Sequence, residues 1–503
     1  MGAQYSFEGP EFNRSIRIEA RPERLSSDAG ALMLREVAER LGLLTWLKPR
    51  LDDPRDPLLV THPTMDVVLT TLLLQAQGWS DQDDADRLRQ DPVLRLAVSS
   101  RGGDAALRPR TAGEQSPEGL ASQPTLSRAL AWLSSETNRR VLDNALLHTA
   151  GQRIRAANQG HRLHNETLDI DSLPIEVFGE QPGSEYNGHY HANVYHPLVA
   201  SLGGQRDLLG VMLRPGSLHT AADAIPFILD KVAWMKAEVC QRVTVRMDAG
   251  FPDDKLLLAL EEKGIRYVSR KATNPALDKL AQAHLDRHLN GSGRQEGLWC
   301  YELRYQAASW SRVRRVVLVN QVEPGELFAR HFYLVTNISA LRLPALSLLE
   351  LYRQRGNAEA AMGEWKSVLA PALSSSPRPK KTYRGKPLPP PAPTVDDDGE
   401  VVSVEDQALE ARRHSFQINE TSLILSALAY NLMNAIRKTA EAGTHEGWSI
   451  RRTREQILKV GAQVLLHARA VTVAIPESSA KIWEVIWYKL AHLQVRPLYL
   501  KSS

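Results

Sequence analysis

Two short runs alternate polar and apolar residues with period two, ETLDIDS at 166–172 and VTVRMDAGF at 243–251. That pattern restricts the chain to folds with a sheet at the centre, because successive side chains of a strand point to opposite faces. In the first run Leu168 and Ile170 point one way, and Thr167, Asp169 and Asp171 the other. In the second, Val243, Val245 and Met247 form the inner face, and Thr244, Arg246 and Asp248 the opposite one. Between them HPLVASLGGQRDLLGVMLRPG reads as two strands joined by a turn at 203–206, so three runs form an antiparallel meander. Two carboxylates on one strand face are costly to bury together and need water or a cation. An edge strand with a wet face is the plain alternative. Asp248 ends its strand before Ala249 and Gly250, leaving its carboxylate at the strand's C-terminal end, where sites of open α/β sheets gather. A helix, PDDKLLLALEEKG, and a strand, IRYVS, continue the α/β pattern.

A second constraint is the stretch PALSLLELYRQRGNAEAAMGEWKSVL, Pro344 to Leu369, which reads as one helix with a first-turn proline and with Gly356 and Gly363 as weak points. At about 100° per residue, Tyr352, Arg355, Glu359 and Lys366 share an arc of roughly 60°, beside an apolar stripe of Leu351, Met362, Trp365 and Leu369. By spacing alone Arg355 and Glu359 read as an ordinary i,i+4 pair on a solvated face.

The spacing Tyr-x2-Arg-x3-Glu-x6-Lys resembles the signature of bacterial insertion-sequence transposases of the DDE class, and the resemblance runs from about Leu32 to Leu493. ASQPTLSR, LDID, YHPL, LRPG, RMDAGF and ALAYNLMNAIR belong to it as well. It implies an α/β, RNase H-like mixed sheet flanked by helices, with a β-rich insertion between the second Asp and the Glu and a helical N-terminal domain. It also implies that Asp171, Asp248 and Glu359 are the catalytic acids and hold two Mg2+ ions per active site, with Mn2+ able to substitute; all-oxygen ligands suit both ions. Arg355 and Lys366 would bind phosphates at the transposon end, and Tyr352 would add a phosphate or metal-shell contact. In such enzymes the ends of the element, its terminal inverted repeats, are cut, and the freed 3'-hydroxyl attacks target DNA. The partners implied are double-stranded DNA and a second copy of the chain, a homodimer in a synaptic complex. The family's first Asp usually precedes a small residue and a Thr or Ser; Asp171-Ser172 follows this loosely, and Asp169 shares its face. Asp171 is taken as the first ligand, with Asp169 the alternative. A domesticated DNA-binding protein without catalysis, and an RNase H-like nuclease that cuts without joining, are the rival readings.

At 503 residues the chain is too long for one ordinary domain. The expected divisions are a helical DNA-binding and dimerisation region at 1–140, a first core part at 141–271, a β-rich insertion at 272–340, and the core helix with Glu359 at 341–373. A Pro-rich disordered loop at 374–404, a last core helix at 405–440 and a basic helical region at 441–503 complete them. In the first region a helix is expected over 27–48, and Thr64 opens a second that is apolar nearly all round. The segment after Ser122 forms a short helix with Ser127 and Arg128 facing outward, a candidate recognition helix for a major groove or an ordinary amphipathic helix. Residues 137–163 carry Arg139, Arg140, Arg153, Arg155 and Arg162, available to neutralise a DNA backbone.

The loop GHYHANVYHP holds His189, His191 and His196 without a thiolate and with no familiar zinc spacing, so polar or DNA-contacting roles are expected. In the insertion, Trp299 and Trp310 with Arg312, Arg314 and Arg315 could stack an unpaired base and neutralise backbone, or simply pack a sheet.

A formal charge of +4, from 62 Lys and Arg against 58 Asp and Glu, permits nucleic-acid binding without demanding it. Two cysteines are too few for a disulfide framework or a four-thiolate zinc site. No apolar run approaches a membrane span and the start MGAQYSFEGPEF lacks signal-peptide character, so a soluble, nucleoid-associated protein of the bacterial cytoplasm without membrane contact is expected.

Overall fold

The structure is a computed structural model. It describes residues 6–7, 11–13, 15–16, 18–19, 23–79, 81–108, 119–287, 296–324, 330–369, 371, 373–377, 382–383, 386–387, 394–395, 401–467 and 470–493.

The alternating and apolar runs assemble into a mixed sheet of eight strands: β1 Leu163–Ser172, β2 Leu198–Leu202, β3 Leu208–Met212, β4 Cys240–Met247, β5 Arg266–Lys271, β6 Gly297–Tyr305, β7 Arg314–Val322 and β8 Arg330–Thr336. Their order is β6-β7-β8-β5-β4-β1-β2-β3. Strand β4 runs parallel to β1 and β5, and every other pair is antiparallel. The meander of β1, β2 and β3 is the one read from the sequence, with the turn between Leu202 and Leu208.

The principal helices, in chain order, are α1 Ala31–Arg40, α2 Thr64–Gln77, α3 Gln123–Leu133, α4 Glu136–Ala157, α5 Ala224–Glu238, α6 Asp254–Glu262, α7 Pro275–Asp286, α8 Ala345–Arg353, α9 Arg355–Glu364, α10 Val404–Thr444 and α11 Glu477–Ala491. One face of the sheet, with Leu168, Ile170, Val243, Val245 and Met247, packs on Ile228, Val232 and Met235 of α5 and on Leu256, Leu257 and Leu260 of α6. The other face packs Val268, Val317, Val319 and Leu334 on Leu348 and Leu349 of α8. Beyond it, Val199, Leu208 and Val211 join a large cluster with α10 and the N-terminal helices. The outer edge of β3 is not left bare: Asn431 of α10 accepts from Leu208 N at 2.9 Å and donates to Leu208 O at 2.8 Å, much as a further strand would.

Several elements differ from the sequence reading. The helix expected over 27–48 breaks at Gly42, whose left-handed φ of 66° starts a second short helix, Leu43–Leu47. The helix expected over 344–369 is two, parted at Gln354, and its last turn widens into a π-helical segment, Trp365–Leu369. Segment 272–340, expected as a β-rich insertion, carries the main sheet outward through the pairing of β8 with β5, and it opens with a helix, α7, capped by the Asn274 side chain. The first and last regions share one core around α10 and meet in a small sheet in which Ala462–Leu466 pairs with Arg24–Ser26.

Most of the Pro-rich segment lies outside the described residues, which include two short strand pairs there, 382–383 with 386–387 and 394–395 with 401–402. Among the described residues no helix is long and apolar enough to cross a membrane.

Candidate active site

In the parallel ladder of β4 and β1, Arg246 lies opposite Asp169 and Met247 opposite Ile170. Alternation therefore brings Asp171 and Asp248 level, on one face, at the C-terminal ends of adjacent strands. Asp248 Oδ1 accepts from Gly250 N at 2.8 Å, and its backbone carbonyl accepts from the Ser269 hydroxyl at 2.7 Å. This fastens the tight exit after β4 to β5.

One layer below, Asp169 and Arg246 form a buried pair. Arg246 Nε meets Oδ1 at 2.5 Å and Nη2 meets Oδ2 at 2.7 Å, and the arginine is 1% exposed. Its third nitrogen, Nη1, donates to Leu351 O at 2.5 Å, which pins the last turn of α8 onto the sheet beside the two aspartates. Gly203 makes room for this pair, since a Cβ there would lie 2.7 Å from both Arg246 Nη2 and Asp169 Oδ2. The two acids of the first strand thus have different surroundings. Asp169 is saturated by a guanidinium inside the protein, whereas Asp171 reaches the side where α9 begins.

The helix supplies the third carboxylate. Arg355, the first residue of α9, donates through Nη2 to Asp171 Oδ2 at 2.5 Å and through Nη1 to Glu359. One cation therefore already bridges two of the three acids, and Glu359 keeps an exposed edge, with 53% of its side chain accessible. Burial pushes the Asp171 carboxyl up to about 6; Arg355 opposes the rise, and Asp248 and Glu359 add to it. Burial disfavours the charge on Arg355, yet Asp171 and Glu359 outweigh it and raise its pKa. Half-buried Tyr352 has its phenol raised, chiefly by burial, and it stands within the field of Arg355, Arg270 and Asp248.

The residues after Glu359 hold the helix. Trp365 Nε1 donates to Ser426 at 3.0 Å, Arg437 Nη1 to Glu364 at 2.8 Å, and Arg454 Nη1 to Val368 O at 2.5 Å. Lys366 Nζ donates to Pro174 O at 2.5 Å, three residues beyond Asp171 in the chain. The structure thus gathers Asp171, Asp248, Tyr352, Arg355 and Glu359, and gives Lys366 to the backbone that leaves β1.

Among the described residues no group of three or more His, Cys, Asp or Glu side chains is placed to hold a metal ion. In chemistry the carboxylates of Asp171, Asp248 and Glu359 are oxygen donors of the kind hard divalent cations take, and in this arrangement Arg355 occupies Asp171 and Glu359. The three histidines of the 188–197 loop form no such group either.

The other expected contacts fall differently. Arg128 is exposed on α3, as expected for an outward-facing side chain. Trp310 is 4% exposed and packs with Tyr305 at 5.8 Å and Arg314 at 5.0 Å, so its ring is core, not surface. Arg314 is taken up by Asp254 and Glu261, and Arg315 by Glu302. Trp299 is half-buried on β6. Of the arginines on and after α4, Arg139 pairs with Glu420, Arg153 with Asp207 and Arg155 with Glu238, while Arg162 donates to the Lys236 carbonyl. Arg140 and Arg162 of this set are exposed and form no ion pair among the described residues. What resembled a backbone-neutralising helix is mostly internal bracing.

A family model described as transposase DDE domain group 1 matches residues 8–380 and 406–496. A comparison with curated proteins finds no match. Among solved structures, the chain is similar to a piggyBac transposase seen by cryo-EM in a synaptic complex with hairpin DNA, at 11% identity and a TM-score of 0.39, over 95% of this chain and 87% of that one.

Proposed function

The chain belongs to the transposase DDE domain group 1 family, and from that premise we propose that it is a DNA transposase whose chemistry is carried by Asp171, Asp248 and Glu359. The observation that carries this reading is that Asp171 and Asp248 sit level on one sheet face while Arg355 ties Glu359 to Asp171. The strand order β3-β2-β1-β4-β5, an antiparallel meander followed by strands parallel to the first, supports an RNase H-like core that β8, β7 and β6 extend. Its acids lie at the C-terminal strand ends.

The three carboxylates would hold two divalent cations, Mg2+ with Mn2+ as a substitute. Bound there, such ions supply Lewis-acid stabilisation to the attacking and leaving oxygens of an in-line phosphoryl displacement. The chain's own residues do the rest. Asp169, Arg246 and Leu351 fix the distance between sheet and helix. Arg355 presents two donors suited to a phosphate, with Tyr352 beside it and Lys366 in the last turn of the helical stretch, so that a phosphodiester would be oriented over the acids. The substrates are the ends of an insertion sequence and a target duplex, and two ends imply a dimer.

The test is a joining assay with a labelled oligonucleotide carrying the inverted repeat that flanks the gene, in Mg2+. Joining of the 3' end to target supports a transposase. Cutting alone would make the protein a nuclease, and binding alone a domesticated DNA-binding protein.

A further inference from the structure

Two segments of π-helix, a rare form found most often at functional positions, meet at one side chain. Trp365–Leu369 ends the helix that carries Glu359, and Arg454–Leu458 lies in the C-terminal region, closed by Lys459 N donating to Arg454 O at 2.8 Å. Arg454 opens the second segment and caps the first, its Nη1 donating to Val368 O at 2.5 Å.

The same guanidinium caps α2. Its Nε donates to Ala76 O at 2.8 Å and its Nη2 to Gln75 O at 3.1 Å, both in the last turn of that helix. Carbonyls at a helix C-terminus lack intrahelical partners and carry the negative end of the dipole, so a cation suits them. Burial lowers the guanidinium to about 10, which leaves it charged at neutral pH. Gly78 makes the room: it turns the chain with a left-handed φ of 91°, and a Cβ there would lie 3.2 Å from Arg454 Nη1.

Five residues on, Lys459 holds the next part of the same chain. Its Nζ lies 3.9 Å from the centroid of the Trp79 ring and donates to Asp28 Oδ1 at 2.7 Å, which also accepts from Trp79 Nε1 at 3.0 Å. Leu74, Gln75 and Trp79 border one small cavity with Leu126 and Leu130 of α3, the helix that carries Arg128. The other bonds to the end of the Glu359 helix come from elsewhere: Arg437 and Ile450 N hold Glu364, and Ser426 holds Trp365.

We infer that Arg454 is a positioning residue, which fixes the last turn of the Glu359 helix, and with it Lys366, against the end of α2. Lys366 stands two residues before Val368 and donates to Pro174 O, so the turn that Arg454 caps is the one that sets the reach of its ammonium. The N-terminal helices and the Glu359 helix thereby keep one register. That Lys366 serves a DNA phosphate rests on the transposase reading; that one guanidinium joins the two helix ends does not.

The test has two arms on the full chain, with Arg454→Gln, Lys366→Gln and the double variant, each checked by circular dichroism. If Arg454→Gln does not fold, Arg454→Lys replaces it with the same expectations, because an ammonium lacks the fork that spans both helix ends. In the first arm, hydrogen exchange read by mass spectrometry should show residues 75–79 and 365–369 exchanging about tenfold faster together in the Arg454 variant. Exchange unchanged in either segment overturns the inference. In the second arm, the salt dependence of binding to a blunt end duplex is measured. Lys366→Gln should lower the slope by about 0.9. The Arg454 variant should lower it too, and the double variant no further than Lys366→Gln, since residues that act through one another are not additive. A slope unchanged in the Arg454 variant, or additive losses in the double variant, overturns the inference. Absence of duplex binding by folded wild type would count against the transposase reading, and the exchange arm would still decide the role of Arg454.

Discussion

Arg355 donates to Asp171 Oδ2 at 2.5 Å and, from the other arm of the same guanidinium, to Glu359. The two carboxylates that should hold a divalent cation are thus bridged by a protein cation that also suits a DNA phosphate. On the proposed function, a metal would compete with the arginine for the same oxygens, and a phosphate would compete with the carboxylates for the same arginine. By linkage, whatever draws Arg355 onto phosphate frees the acids for metal, and the reverse holds equally.

Arg355→Ala should therefore bind Mn2+ more tightly than the wild type when DNA is absent, by about tenfold, or about 1.4 kcal/mol. It should bind DNA more weakly, with a salt slope reduced by about 0.9. Mn2+ titrations followed by electron paramagnetic resonance, with and without an end duplex, measure both. Equal Mn2+ affinity in variant and wild type would show that the arginine does not guard the acids.

Asp169 and Asp171 should fail in different ways. Asp169→Asn leaves Arg246 as a buried, incompletely paired charge and loosens the anchor at Leu351, and breaking such a pair costs about 3–5 kcal/mol. Asp171→Asn should leave denaturant stability near or above that of the wild type while removing Mn2+ binding. Urea unfolding and Mn2+ titration of the two variants separate the roles, and loss of metal without loss of stability in Asp169→Asn would reverse the assignment.

The raised Asp171 carboxyl gives a pH signature. Burial lifts it from 3.8 to about 6, so between those values the folded chain holds a proton that the unfolded chain has released. Its contribution to stability is complete below about pH 4 and is lost as pH rises through 6. Metal affinity runs the opposite way, because the ligand must be ionised. Apparent Mn2+ affinity should be level above about pH 7 and fall toward tenfold per pH unit below about 6, as measured by calorimetry. Affinity unchanged down to pH 5 would contradict the burial argument.

The main strands of the core and the places of Asp171 and Asp248 at strand ends were legible because they depend on local pattern. Period-two alternation put Asp171 and Asp248 at strand ends, and a four-residue signature picked out Glu359 and Arg355. What was not legible depends on long-range pairing. Nothing in ETLDIDS distinguishes Asp169 from Asp171; only the register of β1 against β4 gives Asp169 to Arg246. The arginines of α4 looked available because their partners, Glu420, Asp207 and Glu238, lie far along the chain. Whether Trp310 stacks a base or packs a sheet was open in the sequence, and the fold turns it inward over Arg314. The break at Gln354 lies two residues before Gly356, where Arg246 pulls the end of α8 toward the sheet through Leu351. Helical periodicity carries no trace of that contact.

The most direct test of the central claim is Asp248→Ala in the Mg2+ joining assay, read beside binding of the same labelled end duplex. The account predicts that the variant binds the duplex as the wild type does, yet neither cuts nor joins it. Cutting and joining at the wild-type rate by purified Asp248→Ala would contradict the assignment of these acids as the site of chemistry.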